Sequence, residues 1–204
     1  MANLTVSTPE LVYTPDGNSL GLFIDSRDAI MKVKDARAQF APLSDYINFS
    51  SNFKYGSFYS TVNQSATSIN TPKVMTLNNT DISNGVSVVS NSRITVDTYG
   101  LYNLQFSAQI DRVTGTGTDT IDIWLRKGGL DVSNTNTKVT VSGGANASKL
   151  VASWNLFVIL NPGEYVELAY SVTDLQVQLI QEAANLTVPH PATPSLIVTM
   201  NKIS

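Results

Sequence analysis

Acidic pairs at a spacing of three are the first residues in this sequence that could do chemistry. Asp119 with Asp122, and Glu164 with Glu167, have the makings of the paired carboxylates that cleave glycosidic bonds. Both pairs fall in or beside stretches that read as strands. A spacing of three there puts the two members on opposite faces, so turn and rim positions are expected of them. Any Ser-His-Asp triad would need the single histidine, His190. It stands among Pro189, Pro191 and Pro194, with no Gly-x-Ser-x-Gly segment to support it, and reads as a loop histidine. Gly115 and Gly117 give Thr114–Asp119 a Gly-x-Gly spacing, but no helix signal follows, so this is a loop and not a phosphate cradle. One histidine and no cysteine rule out a zinc site, a thiolate nucleophile and a disulfide. No catalytic residue, metal or cofactor is expected, and the chain reads as something other than an enzyme.

Composition points the same way. Hydrophobic residues make up 42% of the 204, enough for a substantial core, while charged residues make up 14%, well under the usual quarter. Asn, Ser and Thr fill the polar positions, as in β proteins with neutral surfaces. A net charge of −3 argues against a nucleic-acid partner. The start, Met1-Ala2-Asn3-Leu4-Thr5-Val6, has neither a basic region nor a long apolar run, so no signal peptide is expected. Nor is membrane insertion, since no apolar stretch approaches the roughly 20 residues a helix needs to span a bilayer. Asn-x-Ser/Thr triplets at Asn63, Asn146 and Asn185 are what chance gives in such a chain, and no glycans are expected on them.

The elements that must position everything else begin with Gly100–Ile110. Tyr102, Leu104, Phe106, Ala108 and Ile110 alternate with Asn103, Gln105, Ser107 and Gln109, the period of a strand buried on one face. Around it, from Tyr55 onward, short strands and turns follow at sandwich spacing. Gly56–Val62, Lys73–Leu77, Val86–Val89 and Arg93–Val96 come first, with Asn84-Gly85 as a turn signal. Ile121, Ile123 and Leu125 mark the next strand, ended by Gly128-Gly129, and Lys138–Val141 another. Strands at 150–160 and Tyr165–Tyr170 flank the tight turn Pro162-Gly163, Val177 and Leu179 belong to a further strand, and Ser195–Met200 closes the chain. Exposed loops are expected at 111–119, 128–137 and 184–194.

Residues 1–54 differ. They hold Pro9, Pro15 and Pro42, short apolar runs at Leu11–Tyr13 and Leu20–Ile24, and the one helix signal: Ser26 as a cap, then 27–40, stopped by Pro42. Ile30, Val33 and Phe40 fall near one helical face. Two readings fit this segment: a small subdomain folded back on the sandwich, or an arm that docks on another protein or on copies of itself through Phe23, Ile30, Val33 and Phe40. The arm is favoured, because the segment offers too little apolar area for a core of its own.

Two strands are apolar on both faces. Along 150–160, Leu150, Ala152, Trp154, Leu156, Val158 and Leu160 share one face while Phe157 and Ile159 occupy the other. In the last strand Ile197 opposes Leu196, Val198 and Met200. One face fills the core and the other needs a cover. Apolar surface contributes roughly 25 cal/mol per Å² when buried, so leaving the second face wet would forgo several kcal/mol. Further copies of the same chain are the simplest cover, a flap from residues 1–54 the alternative.

From Tyr55 to the C-terminus, about three-quarters of the chain, the order of signals resembles the trimeric jelly rolls of complement C-one-q globular heads and tumour necrosis factor. Gly100-x-Tyr102-x-Leu104-x-Phe106 is similar to that family's Gly-x-Tyr-x-Phe-x-aromatic strand. Ile123–Gly128 resembles its aliphatic-x-Leu-x-x-Gly, and Leu160–Val166 its Leu-x-x-Gly-Asp/Glu-x-Val hairpin. Gly56-Ser57-Phe58 is similar to its opening strand. Leu104 stands where Phe is usual, Pro189–Pro194 lengthens the loop before the last strand, and the closing Ser-Gly-Phe is missing. The resemblance implies a jelly-roll sandwich assembled as a bell-shaped homotrimer whose inner sheets meet at a threefold axis, and with the segment before Tyr55 the chain is expected to be all-β, a jelly roll with a short N-terminal arm containing one helix. The residues the resemblance places at the interface are Tyr59, Gln105, Phe157, Ile159 and Ile197. It also implies a non-enzymatic role.

The missing secretory features and cysteines, with the Asn/Ser/Thr-rich strands, look more like a bacteriophage virion component than a secreted ligand. The expectation is a capsid decoration, cement or head-fibre protein located in the virion, anchored by its arm to the major capsid protein or another virion protein. The alternative is a tail-fibre tip whose loops recognise a glycan or protein receptor on the host surface.

Overall fold

A computed structural model describes residues 53–145 and 149–204 in full and, of residues 1–52, the backbone of four strands. The chain divides into two compact units, Met1–Phe53 and Lys54–Ser204.

In the first unit β1 (Glu10–Tyr13), β2 (Ser19–Asp25), β3 (Ile30–Lys34) and β4 (Phe40–Pro42) form one antiparallel sheet in the order β1-β2-β3-β4. This corrects the helix expected over 27–40, because Ile30–Lys34 is paired edge to edge with β2. A lone helix of that length is marginal in water, and the β-branched Ile30 and Val33 lose rotamer freedom in one. Pairing against Leu22 and Ile24 gives the same residues a ladder instead. The proposed helical face dissolves with it. Ile30 sits opposite Asp25, Phe23 opposite Lys32, Val33 opposite Leu22 and Phe40 opposite Lys34. Ile30 and Val33, three apart on one strand, therefore fall at opposite register parity.

The second unit holds β5 (Tyr55–Ser60), β6 (Lys73–Val74), β7 (Asn79–Asn84), β8 (Val86–Val89), β9 (Arg93–Val96), β10 (Gly100–Arg112) and β11 (Thr116–Lys127). After these come β12 (Leu130–Asp131), β13 (Thr137–Gly144), β14 (Leu150–Leu160), β15 (Tyr165–Val172), β16 (Val177–Leu179) and β17 (Leu196–Lys202). One sheet runs β14-β10-β17-β5-β7, with β16 also paired to β10. The other runs β12-β11-β15-β9-β8, with β13 on β11 and β6 on β15. From β9 to β11 and again from β14 to β16 the chain passes from sheet to sheet, so few neighbours within a sheet are neighbours in sequence. Two antiparallel sheets connected in this way are a jelly roll.

The core lies between the sheets. Phe58, Tyr102, Leu104, Ile110 and Val198 meet Ile94, Ile121, Ile123, Leu125 and Leu168, all essentially without exposure. The alternation read at Gly100–Ile110 is realised residue by residue, and β14 pairs with β10 over its whole length, from Gly100 opposite Leu160 to Ile110 opposite Leu150.

Asn84-Gly85, a hairpin signal in the sequence, does something else. It carries the chain out of the β10 sheet at β7 into the β11 sheet at β8, and the strands on either side pair with β5 and β9 and not with each other. Gly85 has φ +69°, and a Cβ there would stand 2.4 Å from Lys54 Cδ and 2.6 Å from an Asp97 oxygen. The position needs glycine for its backbone and for its surroundings alike.

Candidate assembly interface

The outward face of the β10 sheet is built in rows, each a line of register partners on β14, β10, β17 and β5. At the end nearest Gly100, Ile159 lies beside Leu101. The next row is Phe157, Asn103, Asn201 and Tyr55. Then come Asn155, Gln105, Thr199 and Ser57, followed by Ser153, Ser107, Ile197 and Tyr59. Val151 with Gln109 completes the face. The strand period puts these residues outward because their neighbours, Leu104, Phe106, Val198 and Phe58 among them, fill the core.

Large apolar side chains lie open on this face. Phe157 is 61% exposed, Val151 58% and Ile159 56%, and Tyr55 and Ile197 are exposed to a lesser degree. The rows contain no charged residue. The one carboxylate at this parity on β10, Asp111, is wholly buried at the end of the strand, with neither oxygen hydrogen-bonded among the described residues. Two hollows flank Gln105. One of about 320 Å³ is lined by Gln105, Ser153, Trp154 and Asn155. The other, about 170 Å³, is lined by Gln105, Ser107, Ile197 and Thr199.

The outward face of the β11 sheet is opposite in character. It carries Lys138 3.7 Å from Asp122, Arg126 3.0 Å from Asp131, and Arg93 3.7 Å from Glu167. Arg93 also lies over the Tyr165 ring, 4.8 Å from its centroid. A solvated face looks like this, with ion pairs individually worth little.

The structure thus brings Tyr59, Gln105, Phe157, Ile159 and Ile197 onto one surface. The arm residues Phe23, Ile30, Val33 and Phe40 are placed on strands of the first unit, where their side chains lie outside the described residues, as does Asn146. The carboxylates weighed as acids are each held by a donor. Asp119 pairs with Arg112 and accepts from Thr173 Oγ1. Asp122 accepts from Asn136, and Glu167 from Ser92 Oγ at 2.9 Å. Glu164 accepts from Lys127 Nζ at 2.9 Å and from the Asn161 backbone N–H at 2.8 Å. These contacts, Lys127 foremost, hold its carboxyl below the ordinary value of 4.5. Glu164 and Lys127 also border an open cavity of about 530 Å³, shared with Leu130, Asp131 and Tyr165.

One expected loop is partly strand, and another is exposed as expected. Asp111 and Arg112 are not in an exposed loop at 111–119, because β10 continues through Arg112 and β11 resumes at Thr116. Arg112, 1% exposed, pairs with Asp119 and lies 3.5 Å from Asp174. Sequence reading missed this cluster, although Arg112 continues the even-numbered core period of Leu104 to Ile110. The 184–194 loop is folded on itself by paired backbone bonds between Asn185 and His190 and between Glu182 and Thr193. Asn185 Oδ1 accepts from the Thr187 and Val188 N–H groups, which presents Leu186 93% exposed at the tip, and His190 is a loop residue.

No protein-family model matches the chain, and no curated protein does. Among solved structures it is similar to murine APRIL at pH 8.0, with 12% identity and a TM-score of 0.45 over 74% of this chain and 100% of that one. Murine APRIL at pH 5.0 gives 9% identity and a TM-score of 0.42 over the same shares.

Proposed function

We propose that this protein is a homotrimeric structural component of a virion, without enzymatic activity. In this reading copies of the Lys54–Ser204 unit associate through the outward face of the β10 sheet, and the Met1–Phe53 unit anchors the assembly to a capsid or other virion protein. The observation that carries the self-association is the absence of charge from the rows on β14, β10, β17 and β5, which expose Phe157, Ile159 and Val151. In a symmetric assembly a residue near the axis faces its own copies, so a charge there would meet its like and cost energy. Amides, hydroxyls and apolar groups have no such conflict. The ion-paired β11 face suits the role of the outside.

The virion assignment rests on a fold whose candidate acids, Asp119, Asp122, Glu164 and Glu167, are each held by a donor, and on a chain rich in Asn, Ser and Thr with a separate N-terminal unit. The solution mass of the full chain tests the trimer. Incorporation into particles, with and without residues 1–53, tests the anchor. A truncated trimer that still joins particles would sink the anchoring role.

One observation favours a second reading, a fibre tip that binds a host receptor. The pinned 184–194 loop holds Leu186 and Val188 exposed in a fixed shape, which lowers the ordering cost of a contact. Binding of the isolated assembly to host cells, lost in Leu186→Ser, would support it.

A further inference from the structure

We propose that the row formed by Asn155, Gln105, Thr199 and Ser57 sets the number of subunits and their axial register. This rests on the homotrimer reading and deepens it. The row crosses β14, β10, β17 and β5 at one level with only amide and hydroxyl side chains, and Ile82 on the edge strand β7 stands at its end beside Ser57. The row on one side mixes Phe157 and Tyr55 with Asn103 and Asn201, and the row on the other mixes Ile197 and Tyr59 with Ser153 and Ser107.

Apolar contact is non-directional. Phe157 and Ile159 would cover one another almost as well after a slip along the axis, or with a different number of copies. A buried amide is not so tolerant. Once removed from water, Gln105 needs both a donor and an acceptor, and an arrangement that denies them is penalised. Rotation about an axis brings each row against the same row of the next copy, so a ring of identical amides can donate and accept in turn. A slip of one level sets Gln105 against a mixed row, with Phe157 and Tyr55 in it on one side or Ile197 and Tyr59 on the other.

The subunit leaves these groups free for that purpose. Among the described residues, the side chains of Gln105 and Thr199 make no hydrogen bond within the chain, while Asn155 Nδ2 reaches Asn103 Oδ1 at a long 3.4 Å. The hollows on either side of Gln105 give room for a neighbour's side chain or for bridging water. The device is the sheet counterpart of a single polar residue that fixes register in a coiled coil.

The test uses the full-length chain, with oligomer populations read by native mass spectrometry and sedimentation velocity. In Gln105→Leu and Thr199→Val the trimer share should fall by about twofold or more as dimers and larger species appear, while Gln105→Asn keeps one species. Wild-type trimer with Gln105→Leu and Thr199→Val also purely trimeric overturns the role of the row. A monomeric wild type overturns the homotrimer reading itself, before any variant is made. Thr199→Val removes one hydroxyl at nearly constant volume, so it carries the readout even if Gln105→Leu fails to fold.

Discussion

Arg112 reaches from the last position of β10 to Asp119 on β11, closing the end of the sandwich with a cation that is 1% exposed. Removing one partner of a buried ion pair strands the other. Asp119→Asn should therefore lower the thermal midpoint by several degrees. Asp174→Asn should lower it less, since Asp174 is 39% exposed and stands 3.5 Å away. Thermal melts of the two variants side by side check the order, and a larger loss in Asp174→Asn would contradict it.

Association should be governed by the open apolar residues of the β10 sheet. Burying a large apolar side chain contributes roughly 1.5–3 kcal/mol, so Phe157→Ser should weaken subunit association by about tenfold or more per contact. Leu130→Ser, at a position 76% exposed on β12 of the other sheet, should leave it unchanged. Sedimentation equilibrium over a dilution series distinguishes the two, and equal effects would remove the β10 face from the interface.

Gly85 and Gly115 both have positive φ, +69° and +74°, but only Gly85 is crowded. Gly115→Ala should incur the left-handed backbone term alone, about 1–2 kcal/mol. Gly85→Ala should lose more, because its Cβ must displace Lys54 and Asp97, which are 3.2 Å apart in an ion pair. Urea unfolding of the two proteins gives the difference directly.

Acid should loosen the end of the sandwich near Gly100. Thr98, and then Lys54, hold the Asp97 carboxyl below its ordinary 3.8, and Lys127 does the same for Glu164 from 4.5. A carboxyl whose folded value is depressed stabilises the fold fully above its unfolded value, and that contribution fades as the pH falls through the folded one. Stability should thus be flat from neutrality down to about pH 5 and decline below it. Glu164→Gln and Asp97→Asn should each flatten the decline, as followed by unfolding midpoints against pH.

The period of two at Gly100–Ile110 was legible because side-chain alternation is written directly in residue type, and the same holds for Phe157 and Ile159 against Leu156 and Val158. The N-terminal strand at Ile30–Lys34 was not. Apolar residues three and four apart suit a helix face, and the competing ladder with Leu22 and Ile24 depends on a chain reversal that periodicity does not encode. Asn84-Gly85 announced a turn correctly, yet a turn signal says nothing about whether its flanks pair. The Arg112, Asp119 and Asp174 cluster joins residues up to 62 positions apart, and the rows that assemble Tyr59, Gln105 and Ile197 come from three separate strands. Contacts between distant segments are fixed by sheet order, which single-strand patterns leave open.

The uncharged rows on β14, β10, β17 and β5 bear on where such a protein can work. Contacts made by greasy and amide groups are scarcely touched by ionic strength, and strongly excluded salts such as sulfate tighten them. Subunits joined in this way would keep hold of one another from fresh water to brine, whereas the surface pairs of the β11 sheet would come and go with the medium.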